Sequence, residues 1–497
     1  MRQMSKKTNV IMIVADEWRA DMIGYTGCTE AKTPNLDQLA ADGVSFSNAF
    51  CQNPVCVPSR CSFLTGFYPH TKGFRTMHNL MHADQPNLLK TMKNQGYQVF
   101  WGGRNDFLNI KEDPYECCDI RFMEGNRYLK AYKTLNPEER DAPFYDWRKE
   151  DLDSRGEKDD PWYYSMYKGK KEQPGSMDQV TLEGCAEFLK NRKEEKPFFT
   201  YLSLFLPHPP YIVEPKYYDQ IDGEHMRPPI RLTKEDLEKK PSIIQGIHKN
   251  QHIDRLTDEE LKEIRRVYLA MGTKLDDYIG NLIQSLKKMG LYDDTLIIFM
   301  SDHGDYTGDY ELVEKNQNTF EDCLVRVPLI IKPPAEMNVK KRRTDAMVEL
   351  IDVQATIMDL TDGTYSYTQF GKGLKPVLEG SDVHRNEVFC EGGRLKEEGW
   401  YAMDAGHKES NEYWPRTSEQ ESMPQHTKAV MIRNDRYKYV KRLYEEDEFY
   451  DLTKDPYECH NIIRTCDKDL LQSMRNRLLE FYMETSDVVP HTYDKRS

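Results

Sequence analysis

"NPVCVPSRCSFLTG", residues 53–66, places a cysteine two residues before a proline and four residues before an arginine. Pro58 suits the first position of a helix, where its missing N–H does no harm, so the stretch predicts a helix with Cys56 just ahead of its N-terminus. Arg60 then lies about one helical turn from Cys56. A small buried thiol at a helix entry would explain Cys56 equally well, so the rest of the sequence has to decide between a structural and a chemical role.

Two apolar runs, far apart in the chain, end in charged residues. NVIMIVADE (residues 9–17) ends in Asp16 and Glu17, and TLIIFMSDHGD (residues 295–305) carries Asp302 and His303 at its end. Both runs predict buried strands, and ligands gather at the carboxyl ends of strands in open α/β sheets. Side by side, these residues would form an oxygen-rich cluster with one imidazole, which suits Ca²⁺ or Mg²⁺ better than zinc. Polar strand exits without a ligand are the alternative interpretation.

The remaining pattern is that of a large α/β protein. Residues 33–43 and 257–290 have helical spacing, and the second of these opens with a capping box, Thr257 and Glu260. KPFFTYLSLFLPHPPY (residues 196–211) predicts a strand that is broken by prolines where His208 appears, and residues 326–334 predict another short strand.

The composition and the hydrophobic pattern of the sequence change in two places. Residues 110–178 are rich in charge, tyrosine and tryptophan and have poor periodicity, which predicts a long surface insertion. After about residue 375 the chain alternates and turns like an antiparallel meander over residues 428–456, and it closes with a helix over residues 468–486.

Composition excludes several classes of protein. The 497 residues carry a formal net charge of −14, which argues against nucleic-acid binding because such proteins need a basic face. No stretch is long and apolar enough to span a bilayer, so no membrane partner is expected. The start of the chain lacks a convincing secretion signal. With eleven irregularly spaced cysteines, this favours reduced thiols and a cytoplasmic location.

The element Cys56-Val57-Pro58-Ser59-Arg60, followed by Leu64-Thr65-Gly66, resembles the signature of the type I sulfatases of the alkaline phosphatase superfamily. The resemblance extends through the blocks at residues 9–21, 33–50, 197–211, 301–331 and 436–462. It implies an alkaline-phosphatase-like α/β sandwich, in which helices flank a large, mostly parallel central sheet. It also implies a small C-terminal α+β domain with a four-stranded antiparallel sheet. We expect the catalytic domain at residues 1–375 and the C-terminal subdomain at residues 376–497.

In this family a separate maturation enzyme oxidises the signature cysteine to formylglycine, whose hydrated aldehyde is the nucleophile. After S–O cleavage, the resemblance implies a sulfated hemiacetal that collapses, expels sulfate and restores the aldehyde. Neither a serine nor an unmodified thiolate would have this exit. Carried over to this chain, the implied metal ligands for Ca²⁺ or Mg²⁺ are Asp16, Glu17, Cys56, Asp302 and His303.

The resemblance also implies the residues that hold the sulfate group. Lys315 follows SDHGD after a short glycine-containing loop and fits the family's sulfate-binding lysine. His208 matches the histidine that contacts the sulfate or the leaving oxygen. Arg60 is placed to hold the diol. The expected catalytic residues are therefore Cys56, Arg60, His208 and Lys315.

One segment departs from the family pattern. Many sulfatases have Gly-Lys-x-His where this chain has Gly103-Arg104-Asn105-Asp106. Arg104 supplies positive charge for a sulfate or a sugar acid, whereas Asp106 acts like a neutral histidine only with a raised pKa. The base for the elimination step therefore stays open, with His78 as a substitute candidate. Together with Asn79, these residues are the expected substrate-binding set: His78, Asn79, Arg104 and Asp106.

The expected reaction is sulfate removal from a sulfated carbohydrate, such as a fragment derived from a glycosaminoglycan. The opening DEWRAD (residues 16–21) also resembles phosphonate monoester hydrolases, so hydrolysis of phosphonate monoesters or phosphodiesters is the alternative. An inactive glycan-binding relative is a second alternative, which retention of the whole set of expected catalytic residues opposes. Arg394, His407 and His426 are candidates for specificity, and the sequence leaves the oligomeric state open.

Overall fold

Three β-sheets, of nine, four and two strands, and the surrounding helices make up the described part of the chain. The structure is a computed structural model that describes residues 7–122, 156–173, 176–193, 195–337, 339–398 and 407–491. In chain order the strands of these ranges are β1 (Asn9–Ala15), β2 (Val44–Phe50), β3 (Gln98–Gly103), β4 (Ile120–Phe122), β5 (Tyr167–Lys170), β6 (Phe198–Ser203), β7 (Tyr211–Val213), β8 (Thr295–Ser301), β9 (Arg326–Lys332), β10 (Arg342–Thr344), β11 (Val348–Glu349), β12 (Val388–Gly392), β13 (Ala429–Arg433), β14 (Tyr437–Arg442) and β15 (Glu448–Asp451).

The α-helices of the same ranges alternate with these strands over most of the chain. They are α1 (Pro34–Ala41), α2 (Cys56–Thr65), α3 (Pro69–Lys72), α4 (Leu88–Asn94), α5 (Met177–Asn191), α6 (Pro215–Tyr218), α7 (Lys234–Glu238), α8 (Ser242–Gln251), α9 (Asp258–Lys288), α10 (Asp322–Val325), α11 (Ile351–Leu360), α12 (Lys375–Leu378), α13 (Trp414–Glu421) and α14 (Lys468–Thr485).

The large sheet has the order β10-β2-β9-β8-β1-β6-β3-β4, and β11 also pairs with β2. Its pairs are parallel except those that β9 makes with β2 and β8. All seven residues of β1 are buried, as expected for a central strand covered on both faces. The predicted mostly parallel central sheet is confirmed.

Four neighbouring parallel strands, β8, β1, β6 and β3, end at the same edge of the large sheet. Asp302 follows β8, Asp16 follows β1, His208 lies in the turn after β6, and Arg104 follows β3. Residues nearly three hundred positions apart are therefore delivered to one edge by strand order alone, as the sequence analysis predicts.

Helices cover both faces of the large sheet. On one face α1, α5 and α9 pack against the side of β1 that carries Ile11 and Ile13. On the other face α2, α4 and α11 pack against the side that carries Val10 and Met12. The long helix α9 begins with the predicted capping box, in which the Thr257 hydroxyl accepts the Glu260 N–H and the Glu260 carboxylate accepts the Thr257 N–H.

The second sheet, β12-β13-β14-β15, is antiparallel throughout. Phe389 on one face stacks on Phe481 of α14 with the ring centroids 3.9 Å apart. Cys390 and Met431 belong to the other face and join the core under the large sheet. The predicted meander, four-stranded sheet and terminal helix are confirmed, while the boundary at residue 375 remains a prediction.

Two details differ from the expectations. Helix α2 begins at Cys56, so Pro58 is its third residue and not its first. About half of the predicted insertion over residues 110–178 lies outside the described residues, and Ile120–Phe122 within it forms β4 and pairs with β3 at the sheet edge. Tyr167–Lys170 also forms a strand, β5, paired with β7. The described parts of this segment thus contain two strands, and its place as a surface insertion remains a prediction.

Across the described residues, none of the helices combines the length and the apolar character that crossing a membrane requires. All eleven cysteines lie within the described ranges, and each is a free thiol.

Candidate active site

Helix α2 brings Cys56 and Arg60 to the carboxyl edge of the large sheet. The chain reaches this edge through β2, and Val55 in extended conformation caps the helix, so that Cys56 opens the first turn. Cys56 is 1% exposed and Arg60 is fully buried. The helix ends at Gly66, whose φ of 75° lies in the left-handed region that favours glycine.

Three buried side chains converge around Cys56. The Cys56 Sγ atom lies 3.4 Å from Asp16 Oδ1 and 3.3 Å from His303 Nε2. His303 Nε2 lies 3.5 Å from Asp16 Oδ1 and 3.7 Å from Asp302 Oδ1. One ligand atom from each of the four residues lies within 4.8 Å of every other. We call Asp16, Cys56, Asp302 and His303 the strand-end cluster.

The strand-end cluster fits a divalent cation. The Gly304 carbonyl oxygen lies 2.9 Å from His303 Nδ1, which assigns the proton to Nδ1 and leaves the Nε2 lone pair facing the cluster. The two carboxylates supply oxygen ligands, which calcium and magnesium prefer. Two backbone N–H groups orient the Asp302 carboxylate, because its Oδ1 accepts from the N–H groups of Glu17 and His303 at 3.1 and 2.9 Å. Four of the five predicted metal ligands are thus brought together.

Glu17, the fifth predicted ligand, belongs to a neighbouring group. It has a positive φ of 68°, and its ligand atom lies with those of Asp16 and His208 in a second set within 4.8 Å of one another. Glu17 Oε2 lies 2.6 Å from Lys315 Nζ, while its Oε1 is buried without a hydrogen-bond partner. The structure therefore places one Glu17 oxygen on the lysine and leaves the other available.

Lys315 and His208 meet beside Glu17. Lys315 Nζ lies 3.0 Å from His208 Nε2 and 3.0 Å from Glu314 Oε1. His208 Nδ1 lies 2.5 Å from the carbonyl oxygen of Pro209, which assigns the proton to Nδ1 and makes Nε2 the acceptor for the lysine. Two cationic or hydrogen-bonding groups predicted to hold the sulfate are therefore adjacent.

Two arginines balance the carboxylates of the cluster. Arg60 Nε donates to Asp302 Oδ2 at 2.8 Å, and its NH2 lies 3.3 Å from Asp16 Oδ2. Arg104 is 19% exposed at its side chain, contacts Asp16 and lies 3.0 Å from Asp106 Oδ2. Asp106 is also 3.9 Å from Arg60 Nε. The predicted residues Arg104 and Asp106 thus border the cluster.

Burial and neighbouring charges shift the pKa values of the site. Burial, reinforced by the Asp16 carboxylate, raises the pKa of the Cys56 thiol well above its ordinary value. Burial also lowers the pKa of His208 and of His303, and the Lys315 ammonium lowers the His208 value further. The Lys315 pKa is raised, since Glu17 and Glu314 outweigh the effect of burial. These directions keep the unmodified cysteine as a thiol, both imidazoles neutral and the lysine charged at neutral pH.

The remaining predicted residues lie in two loops. Asn79 Oδ1 accepts the Thr76 hydroxyl at 2.8 Å, and His78 lies in the same turn. His426 Nε2 lies 2.8 Å from Oε1 of Gln317, two residues beyond Lys315. Arg394 donates to backbone carbonyl oxygens at the end of α13, and the His407 ring lies 6.1 Å from that of Tyr413. Substrate contact by these residues remains a prediction.

Sequence reasoning missed two residues of the site. Ser203 Oγ, at the carboxyl end of β6, accepts a hydrogen bond from Arg60 NH1 at 2.5 Å. Glu314 precedes Lys315 and contacts its ammonium. The strand-end position of Ser203 was a usable signal, because the same edge carries the other site residues. The contact of Glu314 depends on how its loop folds, which no spacing rule describes.

Curated relatives match almost the whole chain. The multifunctional alkaline phosphatase superfamily protein PehA of Trinickia caryophylli is 29% identical over 494 residues, covering 92% of this chain and 91% of that protein. An ulvan-active sulfatase of Formosa agariphila is 24% identical over 467 residues, covering 94% of this chain and 79% of that protein.

Solved structures share the fold. The phosphonate monoester hydrolase of Agrobacterium radiobacter superposes with a TM-score of 0.78 at 22% identity, covering 99% of this chain and 98% of that one. A protein solved in complex with its substrate, D-glucosamine-2-N,6-O-disulfate, superposes with a TM-score of 0.70 at 19% identity, covering 97% and 98% of the two chains.

The family profile described as Sulfatase matches residues 8–364, which include the four neighbouring strands, the helix that begins at Cys56 and the loop that carries Lys315. With this match and the relatives above, the chain belongs to the sulfatase family of the alkaline phosphatase superfamily.

Proposed function

We propose that this protein is a metal-dependent sulfuric ester hydrolase that removes sulfate from a sulfated carbohydrate, with a formylglycine made from Cys56 as its nucleophile. The observation that carries the proposal is the convergence of the strand-end cluster within 4.8 Å, with the Lys315 and His208 pair alongside it. Hydrolysis of a sulfate ester requires cationic groups that bind the sulfate and ligands that hold a hard metal ion.

The strand-end cluster would hold the metal, with the unpartnered Oε1 of Glu17 as a further oxygen donor. A bound Ca²⁺ or Mg²⁺ would neutralise sulfate charge and favour deprotonation of the formylglycine diol. His303 is oriented for this role by its Nδ1 contact with Gly304, and Asp302 by two backbone N–H groups.

The chain's own residues would align the nucleophile. Cys56 opens α2, and its Sγ atom lies 3.4 Å from Asp16 Oδ1 and 3.3 Å from His303 Nε2 at the sheet edge. Arg60, one turn later, is itself immobilised by Asp302 and Ser203 and holds its guanidinium beside the same edge. Such fixed donors need no reorganisation when the sulfate oxygens gain charge.

Lys315, oriented by His208, would hold the sulfate and protonate the leaving oxygen. The Lys315 ammonium is a charged donor at neutral pH, and Glu17 and Glu314 fix its position. His208 donates its Nδ1 proton in a hydrogen bond to the Pro209 carbonyl oxygen, so that Nε2 faces the site as an acceptor for Lys315 Nζ. The proton for the leaving oxygen would therefore come from the Lys315 ammonium, which His208 Nε2 orients. After S–O cleavage the resulting sulfated hemiacetal would collapse, expel sulfate and restore the aldehyde.

A sulfated carbohydrate is the proposed substrate class. One relative is an ulvan-active sulfatase, and one structural neighbour was solved with a disulfated glucosamine. Function in the cell also requires a formylglycine-generating enzyme where the protein folds, and we expect the cytoplasm as that compartment.

Hydrolysis of phosphonate monoesters is the second candidate. Arg104 and Asp106, paired at 3.0 Å, stand where many sulfatases have a lysine and a histidine, so the charge at the border of the cluster differs from that pattern. A site rich in cations can stabilise either a sulfuryl or a phosphoryl group during transfer.

The two candidate functions predict opposite substrate preferences. Protein matured with a formylglycine-generating enzyme is assayed for kcat/KM on an aryl sulfate and on an aryl phosphonate monoester that share a leaving group. We expect the sulfate to be preferred by about tenfold or more. The Cys56→Ala variant serves as the inactive control for both substrates. A preference for the phosphonate would establish the second candidate, and absence of turnover on both substrates would favour an inactive relative.

A further inference from the structure

The turn after β6 is anchored by a buried carboxylate that lies outside the proposed catalytic set. Asp178, in the first turn of α5, is 2% exposed. Its Oδ1 accepts the Phe205 N–H at 2.8 Å and its Oδ2 accepts the Leu206 N–H at 2.7 Å. Both oxygens therefore bind consecutive backbone groups of one turn.

This turn leads directly to His208. The His208 N–H donates to the carbonyl oxygen of Phe205 at 3.0 Å. The backbone that Asp178 binds therefore also fixes the backbone position of His208. The Leu206 carbonyl oxygen accepts the Asp16 N–H at 3.3 Å. The same turn is thus tied to the histidine and to the first residue of the strand-end cluster.

The Phe205 ring is a second link between the turn and the site. Its centroid lies 4.9 Å from that of the His208 ring and 5.0 Å from the Arg104 guanidinium. The ring therefore contacts both side chains. Because Asp178 binds the Phe205 N–H, a shift of that backbone would move the ring, the histidine and the arginine together.

The position of Asp178 suits an ionised clamp. Burial raises the pKa of Asp178 to about 6, with the N–H groups of Leu206 and Phe205 acting in the opposite direction. Lys274, 1% exposed and 2.9 Å from Glu214, also favours the ionised form. At neutral pH both oxygens are therefore acceptors for the two backbone donors.

We propose that Asp178 is a positioning residue, which fixes the turn after β6 so that His208 Nε2 stays against Lys315 and orients its ammonium. This inference rests on the proposed function, since it assigns a consequence in turnover to the geometry of His208. The residue that fixes the position of His208 would thus lie on α5, far along the chain from the signature at residues 56–60.

The chain offers a matched control in Asp276. This carboxylate is 1% exposed, accepts the N–H groups of Asn35 and Leu36 at 3.1 and 2.7 Å, and has a pKa that burial raises to about 6. It clamps the start of α1 as Asp178 clamps the turn after β6. Asp178→Asn and Asp276→Asn make the same chemical change, in which an amide N–H₂ replaces one acceptor oxygen opposite a buried backbone donor.

The first test compares turnover of the two matured variants on an aryl sulfate, beside wild type. Asp178→Asn should lower kcat about 10–100-fold with KM within about twofold, because misplacement of a positioned group acts mainly on the reacting state. Asp276→Asn should keep kcat within about twofold at a similar loss of melting temperature. Equal kcat for the two variants would overturn the inference.

A second measurement does not depend on turnover. In protein labelled with ¹⁵N-histidine, the His208 signal is identified by its loss in His208→Gln. It should shift or broaden in Asp178→Asn and stay in place in Asp276→Asn. An unmoved signal in Asp178→Asn would overturn the inference. Wild type without turnover would instead refute the proposed function, and the His208 signal alone would then decide the role of Asp178.

Discussion

Lys315 contacts three groups of the site at once: Glu17 at 2.6 Å, Glu314 at 3.0 Å and His208 at 3.0 Å. Replacement by methionine removes the ammonium that the proposed sulfate contact requires. We expect Lys315→Met to lower kcat about 100–1000-fold, as for loss of a fixed donor to developing charge. Steady-state kinetics on an aryl sulfate, with metal content checked in parallel, measures the effect.

Because Lys315 is buried, its replacement will also cost stability, and a control has to separate the two effects. Lys240 is 3% exposed, pairs with Glu321 at 2.9 Å and donates to the Glu458 carbonyl oxygen at 2.8 Å, so these partners are not members of the strand-end cluster. Lys240→Met should destabilise the protein by a similar amount, about 3–5 kcal/mol, and leave kcat of the folded fraction near that of wild type. Equal kcat for the two folded variants would refute a catalytic role for Lys315.

At the level of single residues, the sequence was most informative where a motif and a strand end coincide. Asp16, Asp302 and His303 follow apolar runs, and Cys56 and Arg60 share one short signature, so their meeting could be predicted. The contact between Arg104 and Asp16 could not be predicted, because it depends on the side-by-side order of β3, β6 and β1.

At the scale of secondary-structure elements, β12 approaches the loop that carries Lys315 very closely. A Cβ atom at Gly392 would lie 1.7 Å from the backbone oxygen of Gln317, so Gly392→Ala has to displace that loop. We expect a fall in kcat of about 10–100-fold, because the loop positions the lysine. Kinetics of the folded variant on an aryl sulfate measures it.

Gly290, at the end of α9, provides the comparison for Gly392→Ala. It has a φ of 67°, and a Cβ there would meet no atom within 4 Å. Gly290→Ala should cost about 1 kcal/mol of stability through backbone strain and leave kcat unchanged. If Gly392→Ala behaved like Gly290→Ala, the close approach of β12 would have no influence on the site.

The contact between α1 and α9 should make the stability of the protein depend on pH. Asp276 of α9 binds the N–H groups of Asn35 and Leu36, and burial raises its pKa to about 6 from a model-peptide value of 3.8. Since the folded-state pKa lies above the unfolded one, this carboxyl group contributes stability that is present below pH 4 and is lost as the pH rises through 6.

Urea unfolding of wild type and Asp276→Asn across this window measures the contribution. The free energy of unfolding of wild type relative to the variant should fall by about 1–3 kcal/mol between pH 4 and pH 7. A difference that stayed constant over this range would show that the pKa of Asp276 is not raised in the folded protein.

Elements with strong periodicity were predictable to within a residue or two. The helix α9 and its capping box, the strands β1 and β8 and the meander β13-β14-β15 all agree with the sequence pattern. The start of α2 differs by two residues from the position that Pro58 indicates, because proline is also tolerated later in the first turn of a helix. The edge strand β4 was missed, since three residues carry too little pattern to be recognised.

At the scale of the whole molecule, the proposed metal ion should contribute to stability. Asp16 and Asp302 are fully buried beside each other, and a cation that binds only the folded state stabilises it by mass action. Dialysis against a chelator should lower the melting temperature, and Ca²⁺ or Mg²⁺ at about 1000 times its Kd should restore about 4 kcal/mol.

The control for the metal experiment is Asp302→Asn, which removes one ligand charge from the strand-end cluster. Its melting temperature should respond weakly or not at all to chelator and to added cation. A wild-type melting temperature that is the same with and without chelator would argue against a cation at this site. Full restoration by zinc alone would argue against Ca²⁺ or Mg²⁺ as that cation.

The overall architecture could be predicted because alternating strands and helices specify a parallel sheet, and the signature specifies the family. The single reversed strand β9 could not be predicted, because an apolar run such as Arg326–Lys332 has no direction in its pattern. Nor does the pattern reveal that one face of the second sheet joins the core of the large one, since both faces of its strands are apolar.

The chemical state of Cys56 tests the central claim most directly. Peptide mass spectrometry of the segment around residue 56 is made on protein produced with and without a formylglycine-generating enzyme, and sulfate release from an aryl sulfate is measured on the same samples. We predict that the aldehyde form of Cys56 and sulfate release appear together, in proportion to each other, and only with the maturation enzyme. A Cys56 that remains a thiol in a sample that releases sulfate, or a fully converted Cys56 without sulfate release, would contradict the account.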